Sequence, residues 1–197
     1  FQIIKEASEA LDLKSYIVGG FVRDKLLGRL SPDIDIVTIG DGIKLAQEVA
    51  ARLYPIPRIS IFQRFGTAQI LHGELNIEIV GARKESYRED SRKPFVESGS
   101  LEDDIRRRDF TINAMAVSLN DDDFRDLIEL FDRRKHLEQK IIKTPLEPER
   151  TFSDDPLRML RAIRFSNQLD YTIDSNTLEG IKSSAHRIDI ISSERII

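Results

Sequence analysis

The sequence predicts an α/β region over residues 1–145 followed by an all-helical region over residues 146–197. Three observations carry that reading. Residues 33–39, DIDIVTI, alternate Asp with Ile, the period of a strand with one acidic and one apolar face. GTAQILH (66–72) and LNIEIVGA (75–82) read as two strands of a small sheet joined by Gly73 and Glu74 as a hairpin. From TFSDDPLRMLRAIRFSNQL (151–169) onward, apolar positions recur at helical spacing.

The other elements follow in order. Ile3, Ile4, Ala7, Ala10 and Leu11 give a helix over residues 2–12. SYIVGG (15–20) is a short buried strand ending in a turn. FVRDKLLG (21–28) is a short helix that Gly28 closes. GIKLAQEVAARLY (42–54) is a helix with Ile43, Leu45, Ala46, Val49, Ala50 and Leu53 apolar. Residues 83–100 are polar and aperiodic, so a long mobile loop is expected. LEDDIRRRDFTINAMAVSL (101–119) starts as a helix and runs into an apolar stretch, and NDDDFRDLIELF (120–131) holds a turn and one short element. Pro156 fits a helix's first turn. SNTLEGIKSSAHR (175–187) and SSERII (192–197) read as helices with Ser N-caps.

With 40% hydrophobic and 32% charged residues in a chain of 197, composition is that of a soluble globular chain of one or two domains. No apolar run approaches membrane-spanning length, and the first residues, FQIIKEASEALDLKSY, alternate charge with apolar positions and lack the pattern of a signal-peptide core. The absence of Cys excludes disulfides and thiolate metal sites and fits a cytoplasmic location. The net charge of −4 argues against nonspecific nucleic-acid binding by the whole surface. Basic residues nevertheless cluster at RRRD (106–109), DRRKH (132–136) and RMLRAIR (158–164). The chain lacks an initial Met and ends at SSERII, which reads as a piece of a longer protein. His72, His136 and His186 are scattered and suggest no metal site.

Asp33 and Asp35 are two apart on a strand, so they project to one side, with Cα atoms roughly 6–7 Å apart. Carboxylates so placed repel unless a cation joins them, and Mg²⁺ prefers oxygen ligands. A bare DxD is more often a solvated acidic face. What precedes it shifts the balance. Gly19 and Gly20 let a ligand approach the backbone, lead into a helix N-terminus, and precede Arg23 in the first turn. A phosphate cradle beside a carboxylate pair suits a nucleoside triphosphate with its Mg²⁺.

GGFVRDKLLGRLSPDIDI (19–36) closely resembles the signature of the class II tRNA nucleotidyltransferase and bacterial poly(A) polymerase family, within the DNA polymerase beta superfamily. RRDFTINAMA (107–116) resembles its second motif, DDPLRMLRAIRF (154–165) its nucleotide-selecting segment, and SERI (193–196) a later helical motif. The resemblance implies a nucleotidyltransferase head over 1–145 and a helical neck over 146–197. It implies addition of CMP and AMP from CTP and ATP to a tRNA 3′ end, with two Mg²⁺ ions on Asp33 and Asp35. Glu78 looks like the superfamily's third carboxylate; an exposed strand Glu is the ordinary alternative.

Further roles follow from the same resemblance. Gly19, Gly20, Arg23, Arg108, Arg161 and Arg164 would bind the triphosphate. Asp109 and Asn113 would meet the ribose, whose 2′ hydroxyl marks a ribonucleotide. Asp155 and Arg158 would read the base; Asp155, Arg158, Arg161 and Arg164 recur every three residues, as one slanting stripe on a helix. A solvated salt-bridge ladder is the bland alternative. Two departures stand out: Asp154 replaces the family's Glu, and IVGAR (79–83) replaces a Thr-Phe-Arg ending. The polar segment at 83–100 favours full CCA addition over CC addition. A poly(A) polymerase or a partial CC- or A-adding enzyme shares these motifs, and a noncatalytic RNA-binding module is the reading from another class. The family's grip on tRNA falls largely beyond the neck.

Overall fold

The computed structural model describes residues 1–88, 91–129, 133–192 and 194, with backbone alone at 84–88, 91–96 and 133. The chain divides into two compact units that interleave along the sequence. The first holds Phe1–Lys84, Val96–Ile105 and Met115–Leu130; the second holds Glu85–Phe95, Arg106–Ala114 and Phe131–Ile197. Among the described residues no helix is long and apolar enough to cross a membrane.

The first unit opens with α1 (Gln2–Ala10), β1 (Lys14–Val18), α2 (Gly20–Leu26), β2 (Asp33–Ile39) and α3 (Gly42–Ala51). β3 (Arg58–Phe62), β4 (Thr67–His72) and β5 (Leu75–Gly81) follow, with a 3-10 turn at Gln63–Phe65. The β4–β5 hairpin closes through His72↔Leu75, with Gly73 at φ +61°. β6 (Arg83–Arg88) and β7 (Ser91–Ser98) pair as a separate two-stranded sheet. The loop expected over 83–100 is thus largely strand; backbone pairing holds such a ribbon without leaving an apolar period in the sequence. After α4 (Leu101–Arg106) come β8 (Ala116–Ser118) and β9 (Leu127–Ile128). Leu130 and Phe131, the end of the predicted element over 120–131, lie outside the described residues.

The seven strands run β3-β4-β5-β2-β1-β8-β9, with β2 and β5 parallel and the other neighbours antiparallel. Ile34, Ile36, Ala68, Ile70, Ile77 and Ile79 are buried on one face, where α3 packs on β4 and β5. Asp41 caps α3 by accepting from the Ile43 and Lys44 amides, 3.0 Å each. A Cβ on Gly81 would lie 2.5 Å from the Gly40 carbonyl oxygen, and one on Gly42 would lie 2.6 Å from the Gly81 amide nitrogen. That close passage of backbone accounts for the glycine in IVGAR. Buried Ser8, Ser15 and Thr38 tie α1 to the sheet through hydroxyl hydrogen bonds of 2.8 and 3.1 Å.

The second unit contains a 3-10 turn at Thr111–Asn113, α5 (Arg133–Glu138), β10 (Ile141–Ile142), α6 (Pro148–Asp154), α7 (Leu157–Leu169), β11 (Thr172–Ile173) and α8 (Ser175–Ser184). Its core gathers Phe110, Ile112, Ile142, Phe152, Met159 and Phe165. Phe110 meets Phe165 edge-on, with centroids 6.0 Å apart. The helical pattern expected from residue 151 onward is broken at Asp155, which is extended (φ −147°, ψ 102°). Pro156 is the cause, because its ring disfavours the helical conformation for the residue before it. Asp155 therefore stands before α7 rather than on it, and the predicted stripe begins at Arg158. Asp174, not Ser175, caps α8, accepting from the Thr177 amide. Of the predicted SSERII helix, Ser193, Arg195, Ile196 and Ile197 lie outside the described residues.

Candidate active site

In the first unit, the β1–β2 register sets Val18 opposite Asp35. The chain leaves β1 at that point through Gly19, at φ 78° and ψ −143°, a conformation open only to glycine. The glycine turn and the carboxylate pair therefore adjoin. The Gly19 carbonyl accepts from the Arg23 amide at 3.3 Å, and its own N–H donates to the Met115 carbonyl at 3.3 Å.

Arg23 is 5% exposed, and its fork donates to both Asp24 carboxylate oxygens at 2.9 Å. Its guanidinium lies 3.5 Å from where a Gly20 Cβ would stand. The cation expected to reach out to a phosphate is instead drawn inward beside the turn. At Gly20 that spacing is ordinary contact, so the steric demand for glycine falls on Gly19.

On β2, Asp33 is exposed and Asp35 half-buried, while Ile34 and Ile36 face the core. The parallel β5 sets Asn76 opposite Asp33 and Glu78 opposite Asp35. Asn76 Nδ2 donates to Asp33 Oδ1 at 2.9 Å, and Gln69 Nε2 donates to Asn76 Oδ1 at 2.7 Å. These two amides fix the rotamer of Asp33. The sequence pointed to neither of them, although a two-residue hairpin turn already aligns β4 with β5.

Asp33, Asp35 and Glu78 share one face, all with oxygen donors. Among the described residues no group of three or more His, Asp or Glu side chains is gathered into a metal centre. A pair of carboxylates suits Mg²⁺, which ordinarily takes one or two and completes its shell with water and substrate phosphate. The donor set on β2 therefore fits that ion.

In the second unit, Asp109 is 7% exposed and heavily engaged. Oδ1 accepts from the Phe110 amide at 2.8 Å and Asn113 Nδ2 at 3.1 Å; Oδ2 accepts from Arg161 Nε at 2.8 Å and is ion-paired with Arg161 Nη2 2.6 Å away. Three hydrogen bonds and an ion pair thereby engage both carboxylate oxygens. Asp109, Asn113 and Arg161 form one network, with Asp109 and Asn113 buried, where the sequence assigned them separately to ribose and phosphate. Arg164 is exposed, and its guanidinium lies 5.0 Å from the Phe165 centroid, with that of Arg161 at 5.2 Å from the same ring. Arg108 is half-buried.

Arg158 is half-buried; its Nη1 donates to the Thr151 carbonyl at 3.3 Å and its Nη2 to the Arg107 carbonyl at 2.7 Å. Asp155 Oδ1 accepts from the Leu157 amide at 3.1 Å, and the Asp155 carbonyl accepts from the Arg158 amide at 3.1 Å. The two residues are thus fixed next to each other by backbone contacts. Asp155 Oδ2 and Arg158 Nε have no hydrogen-bond partner among the described residues, so an acceptor and a donor remain for a ligand.

The poly A polymerase head domain profile matches residues 15–143. The A-adding tRNA nucleotidyltransferase of Aquifex aeolicus is 42% identical over 88% of this chain, which spans 21% of that protein. The CCA-adding enzyme of Ligilactobacillus salivarius is 38% identical over 98% of this chain, which spans 46% of it. A crystal structure of a tRNA nucleotidyltransferase complexed with a primer tRNA and an incoming ATP analog superposes with a TM-score of 0.84 at 36% identity, covering 98% of this chain and 54% of that one. With more than half of its residues inside the matched span, the chain belongs to the poly A polymerase head domain family.

Proposed function

We propose that this chain forms the nucleotide-transferring part of an enzyme that adds CMP and AMP, from CTP and ATP, to the 3′ end of tRNA. The observation that carries the reading is the register Val18↔Asp35, which sets the glycine turn against the carboxylate pair. The reaction joins the RNA 3′ oxygen to the α-phosphorus of the triphosphate, breaks the α–β bridge and releases pyrophosphate. Asp33 and Asp35 would hold Mg²⁺, two ions in all, which would acidify the 3′ hydroxyl and offset charge on the leaving phosphates. The Gly19–Gly20 backbone lies against the triphosphate, with the Arg23 cation behind it. Arg108 and Arg164 add positive charge. Asp155 and Arg158 present an acceptor and a donor to the base edge, with Arg158 held by the Thr151 and Arg107 carbonyls. The division into a head over 1–145, a neck over 146–197 and a cytoplasmic location belong to the same proposal.

A second reading, an enzyme that adds only A, is favoured by the name of the Aquifex relative. Full-length protein, tRNA lacking its 3′ end, Mg²⁺ and each labelled triphosphate singly separate the two. Ordered incorporation of two C and one A is expected. Incorporation of A alone, and only onto a CC end, supports the second reading. A long A tract marks a poly(A) polymerase. No incorporation refutes transfer altogether.

A further inference from the structure

The sheet face bearing Asp33 and Asp35 continues past Glu78 to an aromatic recess. Register carries one row across it: Asp35↔Glu78, Glu78↔Gln69, Gln69↔Ser60. The next row on β4 and β3 is Thr67↔Phe62, and the previous one is Leu71↔Arg58. Phe62 thus lies on the acidic face, while Ile59 and Ile61 alternate to the other. A cavity of about 350 Å³ opens there, lined by Phe62, Phe65, Thr67, Gln69, Glu78 and Arg83. That volume falls in the range of ligand sites, ~300–1,000 Å³. Phe62 is 47% and Phe65 59% exposed, large apolar surfaces left facing water.

We propose that this recess seats the 3′-terminal nucleoside of the RNA acceptor, its base stacked on Phe62 and Phe65. The inference rests on the transfer reading above. An attacking hydroxyl must reach the carboxylate pair, and Glu78 is one strand from Asp35, about 5 Å away. The base of the same nucleoside then falls over β4 and β3, where the rings are. The charge pattern agrees. The Glu78 carboxylate lines the recess on the inner strand β5, next to Asp35 on β2, where the hydroxyl and not a phosphate lies. Arg58 and Arg64 are exposed at the outer strand and its following turn, where the acceptor's phosphates continue. Gln69 and Thr67 supply polar atoms, while the rings provide stacking, which tolerates any base. Arg83 donates a long hydrogen bond of 3.4 Å to the Phe65 carbonyl, tethering the turn that carries that ring.

The test is steady-state transfer by the full-length protein and its Phe62→Leu, Phe65→Leu and Phe62→Tyr variants. Leu keeps apolar bulk at exposed positions, so folding is retained, and it removes stacking. The expected result is a rise of about 10-fold or more in KM for the RNA acceptor in both Leu variants. KM for the triphosphate stays within about twofold, and Tyr restores the acceptor KM. An unchanged acceptor KM in an active enzyme overturns the inference and leaves the transfer reading intact. If the parent protein transfers nothing, the transfer reading fails on its own. An RNA oligonucleotide ending in 5-iodouridine then decides the recess by photocrosslinking: adducts at Phe62 or Phe65 uphold it, and adducts elsewhere or none overturn it.

Discussion

Asn76→Ala tests whether the carboxylate pair depends on its amide neighbours. Asn76 Nδ2 holds Asp33 Oδ1 at 2.9 Å, and Gln69 holds Asn76 at 2.7 Å. A hydrogen bond to a charged group contributes about 1.5–3 kcal/mol. Asp33 is exposed, so solvent screening brings this to about 1 kcal/mol. At ~1.4 kcal/mol per tenfold, that is about a fivefold effect. The substitution frees Asp33 to leave the rotamer that aims it to the same side as Asp35. The expected result is kcat/KM lowered about fivefold, with the half-saturating Mg²⁺ concentration raised by a similar factor. Fold stability should hardly move, within about 0.5 kcal/mol as for other surface substitutions. The assay is transfer to an RNA 3′ end across an Mg²⁺ titration, with thermal unfolding beside it. Parental transfer at every Mg²⁺ concentration refutes the positioning role. A large drop in Tm refutes it in a different way, by making Asn76 part of the scaffold.

Further outcomes follow from other contacts. Gly81→Ala places a Cβ 2.5 Å from the Gly40 carbonyl oxygen, a backbone atom that cannot swing aside, and should cost about 2–3 kcal/mol by chemical denaturation. Gly28→Ala, with nothing within 4 Å and φ +68°, should cost only about 1 kcal/mol; equal losses would refute the close-passage account. Arg161→Ala leaves the 7% exposed Asp109 carboxylate with its neutral donors and should destabilise the fold by about 2 kcal/mol, less than a fully buried pair because Arg161 is 39% exposed. Loss of transfer without loss of stability would instead place Arg161 on the nucleotide. Burial pushes the Tyr16 phenol above its usual 10, so the folded state favours the neutral form. Its contribution is fully present below pH 10 and is lost as pH rises through the higher folded value; Tyr16→Phe should flatten this alkaline decline in unfolding midpoint.

Long periodic segments were legible because one face alone decides them. DIDI alternates Asp with Ile before the buried run of Val37 and Thr38, and residues 42–54 keep their apolar stripe through three turns. The strand at 58–62 was not legible: Pro55 and Pro57 precede it, and four of its five residues are exposed, so its pairing with β4 leaves little pattern. Asp155 was misplaced on a helix although Pro156 announces the break, because the three-residue recurrence of Asp and Arg outweighed it. The ion pair of Asp109 with Arg161 joins residues 52 positions apart and has no local trace. The demand for glycine at position 81 is visible only in space, in the Gly40 carbonyl against it. Asn76 and Gln69 fall between these cases. The hairpin turn aligns their strands, but the parallel pairing of β5 with β2 that brings Asn76 to Asp33 is a tertiary choice.

Register is what turns the separate motifs of the first unit into one face. α2 connects β1 to β2, and the two strands run antiparallel, so the end of β1 meets the start of β2. A short connection therefore suffices to bring Gly19 back beside Asp35, and the glycines and the DxD are near in sequence for that reason. Glu78 and Gln69 extend the same row from strands that come later in the chain. Side chains alternate with a period of two, so a one-residue slip of β2 would send Asp33 and Asp35 into the core and Ile34 and Ile36 to solvent. Burial of Ile34 at 4% and Ile36 at 0% exposure opposes that slip. The core thus fixes the placement of carboxylates that contribute nothing to it. The apolar half of DIDI packs the core and thereby sets the side on which its acidic half stands.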